Sequence, residues 1–419
     1  MTTTAARIYG KNDMRLETFA LRKILPGEAI ARVVCDSICM STYKQLQRGK
    51  PSAVYPEKNA DAPVIAGHEL AAEIIETGED VPLHIIPGMK FGVQAAMNIN
   101  GEGSAPGYNY PEFGGAATRV IIPPHVLNSG FLLWYEDMPF FYASLGEPFA
   151  CLIYALYGNF HTKPMERGFA PGILPGGSMM VMGGCGPMGL GMVELALNMD
   201  TRPSVIAVTD VNSERLAAAA AVIPPEYAAK KGITLHYVNT SEPCAENLKN
   251  LSIGEGFDDI YIMCPVREAI ELADAVCAHG ACMNFFAGPV DRELSAYINF
   301  HDVHYRAKHI VGSASSGIRD MKEAFGLMQA GRIRPEVMIT HIGGIGSAVD
   351  ATVNLPQLSG GKKLIYNETD LPLTAVKDFG KQKDPLFEGL DEICKRHGNL
   401  WCAEAENYLL RKYASASGL

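Results

Sequence analysis

Four residues in the first 150 positions are candidates for holding a catalytic zinc ion. Cys39 is followed by the adjacent pair His68 and Glu69, and Glu147 comes later, directly before a proline. A thiolate, an imidazole and carboxylates are the ligands of zinc sites that keep one position open for a substrate. Each residue alone has a simpler explanation, because a single cysteine is usually a small core residue and Glu-Pro often begins a helix. The set as a whole therefore predicts a metal site more strongly than any one member does.

A glycine-rich turn in the middle of the chain has the pattern of a dinucleotide-binding site. The sequence Gly184-Cys185-Gly186-Pro187-Met188-Gly189 lies between an apolar run predicted to be a strand and one predicted to be a helix. Gly184 permits the tight turn, Gly186 lets the backbone approach a pyrophosphate, and Gly189 lets the helix pack on the strand. The helix N-terminus would offer unpaired N–H groups to the phosphates, and Pro187 and Met188 complete the predicted cofactor-binding turn.

An acidic residue lies where such a unit usually binds ribose. Residues 205–209 are predicted to be the next strand, and Asp210 ends it, 21 positions after Gly189. The carboxylate that binds the ribose hydroxyls is expected about 20 positions after the glycine motif. Because a carboxylate there repels the 2′-phosphate of NADP, the pattern favours NAD(H) as the cofactor and does not exclude NADP(H).

The composition is that of an ordinary globular protein and argues against nucleic acid and membranes as partners. The 419 residues suffice for two domains, and 47% of them are hydrophobic. A net charge of −10 argues against binding nucleic acid, and no apolar run has the character of a signal peptide or a membrane span. The ten cysteines are scattered without a C-x-x-C pair, as in proteins whose thiols stay reduced. We therefore expect a cytoplasmic protein.

Two patterns of predicted elements divide the chain. Residues 1 to about 150 contain short strands and loop-forming residues, which predicts a barrel-like β domain. From about 152 to 315 strands alternate with helices, which predicts a parallel sheet covered on both faces. From about 367 the chain is charged, with two apolar stripes that predict two packed helices separated near Gly398.

The order of the motifs resembles that of the zinc-dependent medium-chain alcohol and polyol dehydrogenases. Cys-x-Ser at Cys39 comes first, then Gly-His-Glu at His68, Glu-Pro at Glu147 and the glycine turn. Residues 36–44 and 143–148, with the long C-terminal tail, resemble more narrowly the L-sorbose-1-phosphate reductase branch of that family.

This resemblance implies a fold and a domain arrangement. We expect an α/β fold with a GroES-like β-rich catalytic domain, a doubly wound parallel-sheet Rossmann domain, and a helical C-terminal extension. The expected boundaries are 1–151 with 318–419 for the catalytic domain and its extension, and 152–317 for the NAD-binding domain. A homodimer or homotetramer is also implied, commonly through edge strands of the nucleotide domain.

The resemblance further implies the zinc ligands. Cys39, His68 and Glu147 are expected to bind the metal, with Glu69 as an exchangeable fourth group. Many relatives carry a second, structural zinc held by four cysteines, but here no cysteine lies between Cys39 and Cys151. One catalytic zinc per chain and no structural zinc are therefore expected.

The resemblance also implies that two residues near the expected ligands take part in proton transfer. Ser41 occupies the place of the hydroxyl that begins the proton relay in the family. Lys44 stands where some relatives have a relay histidine, and it is expected either to pass on the proton, to bind a substrate phosphate, or to be an ordinary surface lysine. Thr42 stands where many relatives have aspartate, which leaves the partner of His68 unassigned.

These features together predict a zinc-dependent, NAD(H)-linked oxidoreductase. Zinc polarises a carbonyl as a Lewis acid, and the dinucleotide domain holds the nicotinamide that exchanges a hydride with it. The branch resemblance implies a ketose phosphate and hexitol phosphate pair as the substrates, and the phosphate rests on that resemblance alone. Two alternatives stay open: an unphosphorylated polyol or alcohol dehydrogenase of the same fold, and a zinc-free nucleotide-binding module.

Overall fold

The fold consists of two compact units. A computed structural model describes residues 1–49, 62–99, 102–162, 167–242 and 244–417. Unit 1 comprises Met1–Pro148, Ser316–Ala330 and Ile339–Leu419, and unit 2 comprises Phe149–Ser315 and Gly331–Met338. In the described ranges no helix is both long enough and apolar enough to cross a membrane.

The first 145 residues form mainly short strands. In chain order the elements are β1 (Thr2–Gly10), β2 (Asp13–Ala20), β3 (Ala29–Ser37), α1 (Met40–Arg48), β4 (Val64–Ile65), β5 (Leu70–Thr77), β6 (Lys90–Val93), β7 (Met97–Ile99), β8 (Glu102–Ser104), β9 (Arg119–Ile122), α2 (Pro124–Leu127), β10 (Leu132–Tyr135) and α3 (Phe140–Ser144). β3 is rich in small and β-branched apolar residues, and every residue except Arg32 is buried. Burial on both faces makes β3 a central strand.

Residues 146–312 alternate between strands and helices. Their elements are α4 (Gly146–Gly158), β11 (Phe160–His161), β12 (Ala170–Pro171), β13 (Ser178–Met182), α5 (Pro187–Asn198), β14 (Val205–Asp210), α6 (Ser213–Val222), α7 (Pro225–Ala229), β15 (Thr234–Asn239), α8 (Ala245–Lys249), β16 (Phe257–Ile262), α9 (Arg267–Val276), β17 (Cys277–Phe285), α10 (Phe300–Tyr305) and β18 (His309–Gly312). Among the described residues, six of these strands form a parallel sheet in the order β15-β14-β13-β16-β17-β18. The strand order reverses at β13, so the predicted doubly wound sheet is confirmed.

The last hundred residues return to the sheet of unit 1. They contain α11 (Ile318–Gln329), β19 (Ile339–Gly344), α12 (Ala348–Val353), β20 (Lys362–Tyr366), β21 (Thr374–Ala375), α13 (Pro385–Arg396) and α14 (Ala403–Ser417), with 3-10 turns at Pro335–Met338, Ile345–Ser347 and Val376–Lys381. The main sheet of unit 1 has the order β10-β6-β5-β3-β20-β19-β21, with β9 also paired to β3. β20 therefore lies next to β3 although more than 300 positions separate them in sequence.

The C-terminal extension packs into unit 1. Trp401, between α13 and α14, is fully buried, and its Nε1 donates a hydrogen bond of 2.9 Å to the hydroxyl of Tyr366 in β20. Leu390 of α13 and Leu409 of α14 are also fully buried. Gly398, with a φ of +72°, lies in the turn between the helices. The predicted pair of packed C-terminal helices is confirmed.

Candidate functional site

Three of the four predicted metal-site residues lie together in unit 1. Cys39 directly precedes α1 as its N-cap, and His68 and Glu69 directly precede β5. One ligand atom from each of the three lies within 4.8 Å of those of the other two. His68 and Glu69 are buried and Cys39 is partly exposed, so the group is not sealed from solvent.

The backbone before His68 requires glycine. Gly67 has a φ of +88°, a conformation that side-chain-bearing residues rarely adopt. A Cβ atom at this position would also collide with the carboxylate of Asp36 and would lie 2.7 Å from the backbone nitrogen of Ala116. Glycine at this position therefore allows these segments to approach closely beside His68.

Two hydroxyl side chains of α1 contact the imidazole of His68. The Oγ of Ser41 lies 3.0 Å from the Cys39 Sγ, to which it donates, and 3.1 Å from the His68 Nε2. The Oγ1 of Thr42 lies 3.5 Å from the Nδ1 on the other side of the ring. Ser41 therefore stands beside the atoms expected to bind zinc, and Thr42 is the partner of His68 that the sequence left unassigned.

Glu69 is held by a lysine that the sequence did not reveal. The Nζ of Lys362 in β20 donates to both carboxylate oxygens of Glu69, at 2.5 and 2.6 Å, and the hydroxyl of Ser37 donates to the same carboxylate. Lys362 and Glu69 are both buried. Lys362 therefore neutralises the charge of Glu69 beside Cys39 and His68. The sequence feature that could have indicated a buried lysine is the pair Lys362-Lys363, which begins an otherwise apolar strand.

Glu147 and Lys44 lie near this group without belonging to it. Among the described residues the group comprises Cys39, His68 and Glu69, whereas Glu147 lies in the first turn of α4 and is partly buried. Its charge still helps to raise the pKa of His68. Lys44 is partly buried in α1; burial lowers its pKa, and the Cys39 thiolate opposes that change.

The electrostatic environment of His68 suits a cation. Burial disfavours the imidazolium, yet the hydrogen bond and charge of Cys39, with Glu147 and Glu69, raise the pKa of His68 to about 9. Burial raises the pKa of the nearby Asp36 to about 8, and its Oδ1 accepts a hydrogen bond of 3.1 Å from the backbone N–H of Glu69. The negative potential at His68 and the sulfur, nitrogen and oxygen donors fit Zn²⁺.

The glycine turn of unit 2 packs tightly against α5 at one position and is open at another. A Cβ atom on Gly189 would collide with Gly184, so the packing of α5 against the turn requires glycine. Gly186 is the N-cap of α5, and a Cβ atom there would meet nothing within 4 Å. Pro187 and Met188 form the first turn of the twelve-residue helix. The open space at its N-terminus fits a phosphate group.

Asp210 is the last residue of β14 and is paired with Arg215. Its Oδ1 accepts a hydrogen bond of 3.1 Å from the backbone N–H of Asn212. Its Oδ2 is buried and forms an ion pair with Arg215, whose Nη2 lies 3.0 Å away. A carboxylate at the end of this strand can accept hydrogen bonds from ribose hydroxyls.

Comparison with known proteins identifies the family of this chain. Residues 187–330 match the zinc-binding dehydrogenase family. The chain is 40% identical to L-sorbose 1-phosphate reductase of Klebsiella pneumoniae, over 98% of this chain and 97% of that protein. The chain belongs to the zinc-dependent medium-chain alcohol and polyol dehydrogenases, in the L-sorbose 1-phosphate reductase branch.

Two further relatives show how far the similarity of this dehydrogenase extends. Mannitol-1-phosphate 5-dehydrogenase of Aliivibrio fischeri is 39% identical over 98% of each chain. The crystal structure of 2R,3R-butanediol dehydrogenase of Bacillus subtilis has the same fold, with a TM-score of 0.68 and 20% identity, and covers 87% of this chain and 99% of its own. This dehydrogenase is therefore longer than the shared fold, and its sugar-phosphate relatives match it over nearly its full length.

Proposed function

We propose that this dehydrogenase reduces a ketose 1-phosphate to a hexitol phosphate with NADH. The observation that carries the proposal is the group of Cys39, His68 and Glu69, whose donor set suits a carbonyl-activating zinc. The choice of substrate is supported by the two relatives that are 39–40% identical over almost the whole chain, both of which are named for sugar phosphates.

The residues of the site have distinct roles in this proposal. When bound, zinc polarises the substrate carbonyl and the nicotinamide supplies the hydride. If zinc is bound, Cys39 and His68 would hold it together with Glu147, whose side chain lies nearby, and Glu69, which is paired with Lys362, would serve as the exchangeable fourth ligand. The Ser41 hydroxyl, which contacts both Cys39 and His68, donates the proton that the product oxygen needs.

The proton of Ser41 must be replaced from solvent. Lys44 lies one turn further along α1, and burial lowers the pKa of its ammonium, which makes it a better proton donor. We therefore assign to Lys44 the next step of proton transfer.

The most direct experiment compares paired substrates. NADH and NADPH oxidation should be followed with sorbose and fructose and with their 1-phosphates. We expect the phosphates to have kcat/KM values at least about tenfold higher, the effect of one or two charge-assisted hydrogen bonds. Equal rates with the free sugars would contradict the phosphate and favour an unphosphorylated polyol as the substrate.

Preference for NADH is proposed to depend on Asp210. Its replacement by serine removes a charged acceptor for the ribose hydroxyl, so the KM for NADH is expected to rise about tenfold, since such a bond contributes about 1.5–3 kcal/mol. The KM for NADPH should fall, because the repulsion of its 2′-phosphate is lost. The control is Asp200→Ser, which removes an equal charge from an exposed position in the same unit. Unchanged constants in Asp210→Ser would exclude this role.

We also propose that two chains associate through the edge strand β18. Only β17 pairs with β18 among the described strands, and Ile310 in β18 is 49% exposed. Tyr297 and Phe300, which precede β18 in sequence, are also exposed. An unpaired strand edge and exposed apolar side chains are features of protein interfaces.

The substitution Ile310→Lys is expected to yield monomers in light scattering after gel filtration, because it buries a charge in the proposed interface. Ile253→Lys, at an exposed site elsewhere in unit 2, serves as the matched control and should keep the wild-type mass. A dimer or tetramer that persists in Ile310→Lys would place the interface elsewhere.

A further inference from the structure

A buried carboxylate from the C-terminal extension connects two elements of unit 1. Glu406 in α14 is 2% exposed. It accepts hydrogen bonds of 2.8 and 2.9 Å from the backbone N–H groups of Phe140 and Phe141, and one of 2.8 Å from the hydroxyl of Tyr366. Three donors thus converge on one side chain of the extension.

The first connection leads through α3 to the metal group. Phe140 and Phe141 begin α3, and Ser144 ends it. The Oγ of Ser144 donates a hydrogen bond of 2.6 Å to the backbone carbonyl of Glu69. Glu406 therefore anchors one end of a five-residue helix whose other end holds the backbone of Glu69.

The second connection leads through β20 to the same residue. Tyr366, which donates to Glu406, is the last residue of β20, and Lys362 is its first. Lys362 holds the carboxylate of Glu69. The hydroxyl of Tyr366 also accepts a hydrogen bond from the Nε1 of Trp401 in the extension, and it donates its one proton to Glu406. The backbone and the carboxylate of Glu69 are thus fixed by two routes that both begin at Glu406.

We propose that Glu406 is a positioning residue for the metal centre, through which the C-terminal extension sets the place of Glu69 relative to Cys39 and His68. The proposal rests on the metal centre described under the proposed function. A side chain that served only to fill space would be better apolar, because burying a carboxylate costs free energy that an apolar residue avoids. Burial raises the pKa of Glu406 to about 7, and its three donors oppose that rise.

The test is Glu406→Gln in the full-length enzyme, which keeps the shape but turns an N–H group towards a donor. Residues that orient metal ligands typically contribute 10- to 100-fold to affinity or activity. We expect zinc release to a chromogenic chelator to become about tenfold faster and kcat to fall by a similar factor, with the KM for NADH unchanged. Glu404→Gln, on an exposed face of the same helix, is the matched control and should behave as the wild type.

If Glu406 has only a structural role, Glu406→Gln should lower the melting temperature. The zinc release rate and the kcat of the folded enzyme would then stay unchanged, and that result would overturn the proposal. If Glu406→Gln fails to fold, Tyr366→Phe cuts the second route while keeping the ring, and it must still accelerate zinc release. The chelator assay needs no substrate. The wild-type enzyme could bind zinc and release it more slowly than Glu406→Gln, yet reduce no ketose phosphate. That result would refute the proposed substrate but not the proposed role of Glu406.

Discussion

Replacement of Cys39 by serine is expected to reduce kcat/KM by about 10³-fold or more and to leave the protein largely free of zinc. A hydroxyl stays protonated at neutral pH and is a far poorer ligand than a thiolate. Zinc contributes several kcal/mol to stabilising charge on a carbonyl oxygen, and about 4 kcal/mol corresponds to 10³ in rate. Initial rates and elemental analysis on the same preparation provide the measurement.

The control for this variant is Cys244→Ser. Cys244 is a partly buried thiol in unit 2, outside the metal group, so its replacement should change neither zinc content nor rate. A Cys39→Ser enzyme with full zinc and full activity would exclude Cys39 as a ligand.

Substitution of Lys362 by methionine is expected to lower the free energy of unfolding of the zinc-free protein by about 3–5 kcal/mol. The reason is that Glu69 is then left buried without its cation, and breaking a buried pair from one side has a cost of this size. Urea unfolding followed by circular dichroism measures the change. Added zinc should recover part of the loss, because the freed carboxylate can then bind the metal.

The double variant Lys362→Met/Glu69→Gln distinguishes the loss of the ion pair from the effect of packing a methionine at position 362. Removing both charges takes away the unpaired carboxylate, so the double variant should be more stable than Lys362→Met alone. If the losses of the two single variants simply add in the double variant, Lys362 and Glu69 are not energetically coupled and the exchange proposed for Glu69 fails.

The strand, glycine turn and helix at residues 178–198 could be predicted because the determinants of their local structure are close together in sequence. One strand–turn–helix–strand unit contains the residues of the motif, which are Gly184, Gly186, Gly189 and Asp210. The residue type at each position was expected from the backbone or side chain that the motif requires there. The two C-terminal helices were predictable for the same reason, since their apolar stripes repeat every three or four positions.

The environment of the metal group could not be read from the sequence. Lys362 reaches Glu69 across 293 positions, and it does so only because β20 pairs with β3. Glu406 reaches Phe140 across 266 positions through the packing of α14. Buried charges of this kind look like surface residues in a sequence until the strand order is known.

X-ray absorption at the zinc edge measures the ligands of the metal directly. We expect about one zinc per chain, with a single sulfur ligand at about 2.3 Å and the remaining ligands nitrogen or oxygen at about 2.0–2.2 Å. The sulfur signal should disappear in Cys39→Ser and persist in Cys244→Ser. A shell of four sulfurs, or a purified active enzyme without zinc, would contradict the assignment of Cys39 and His68 as ligands of a catalytic metal.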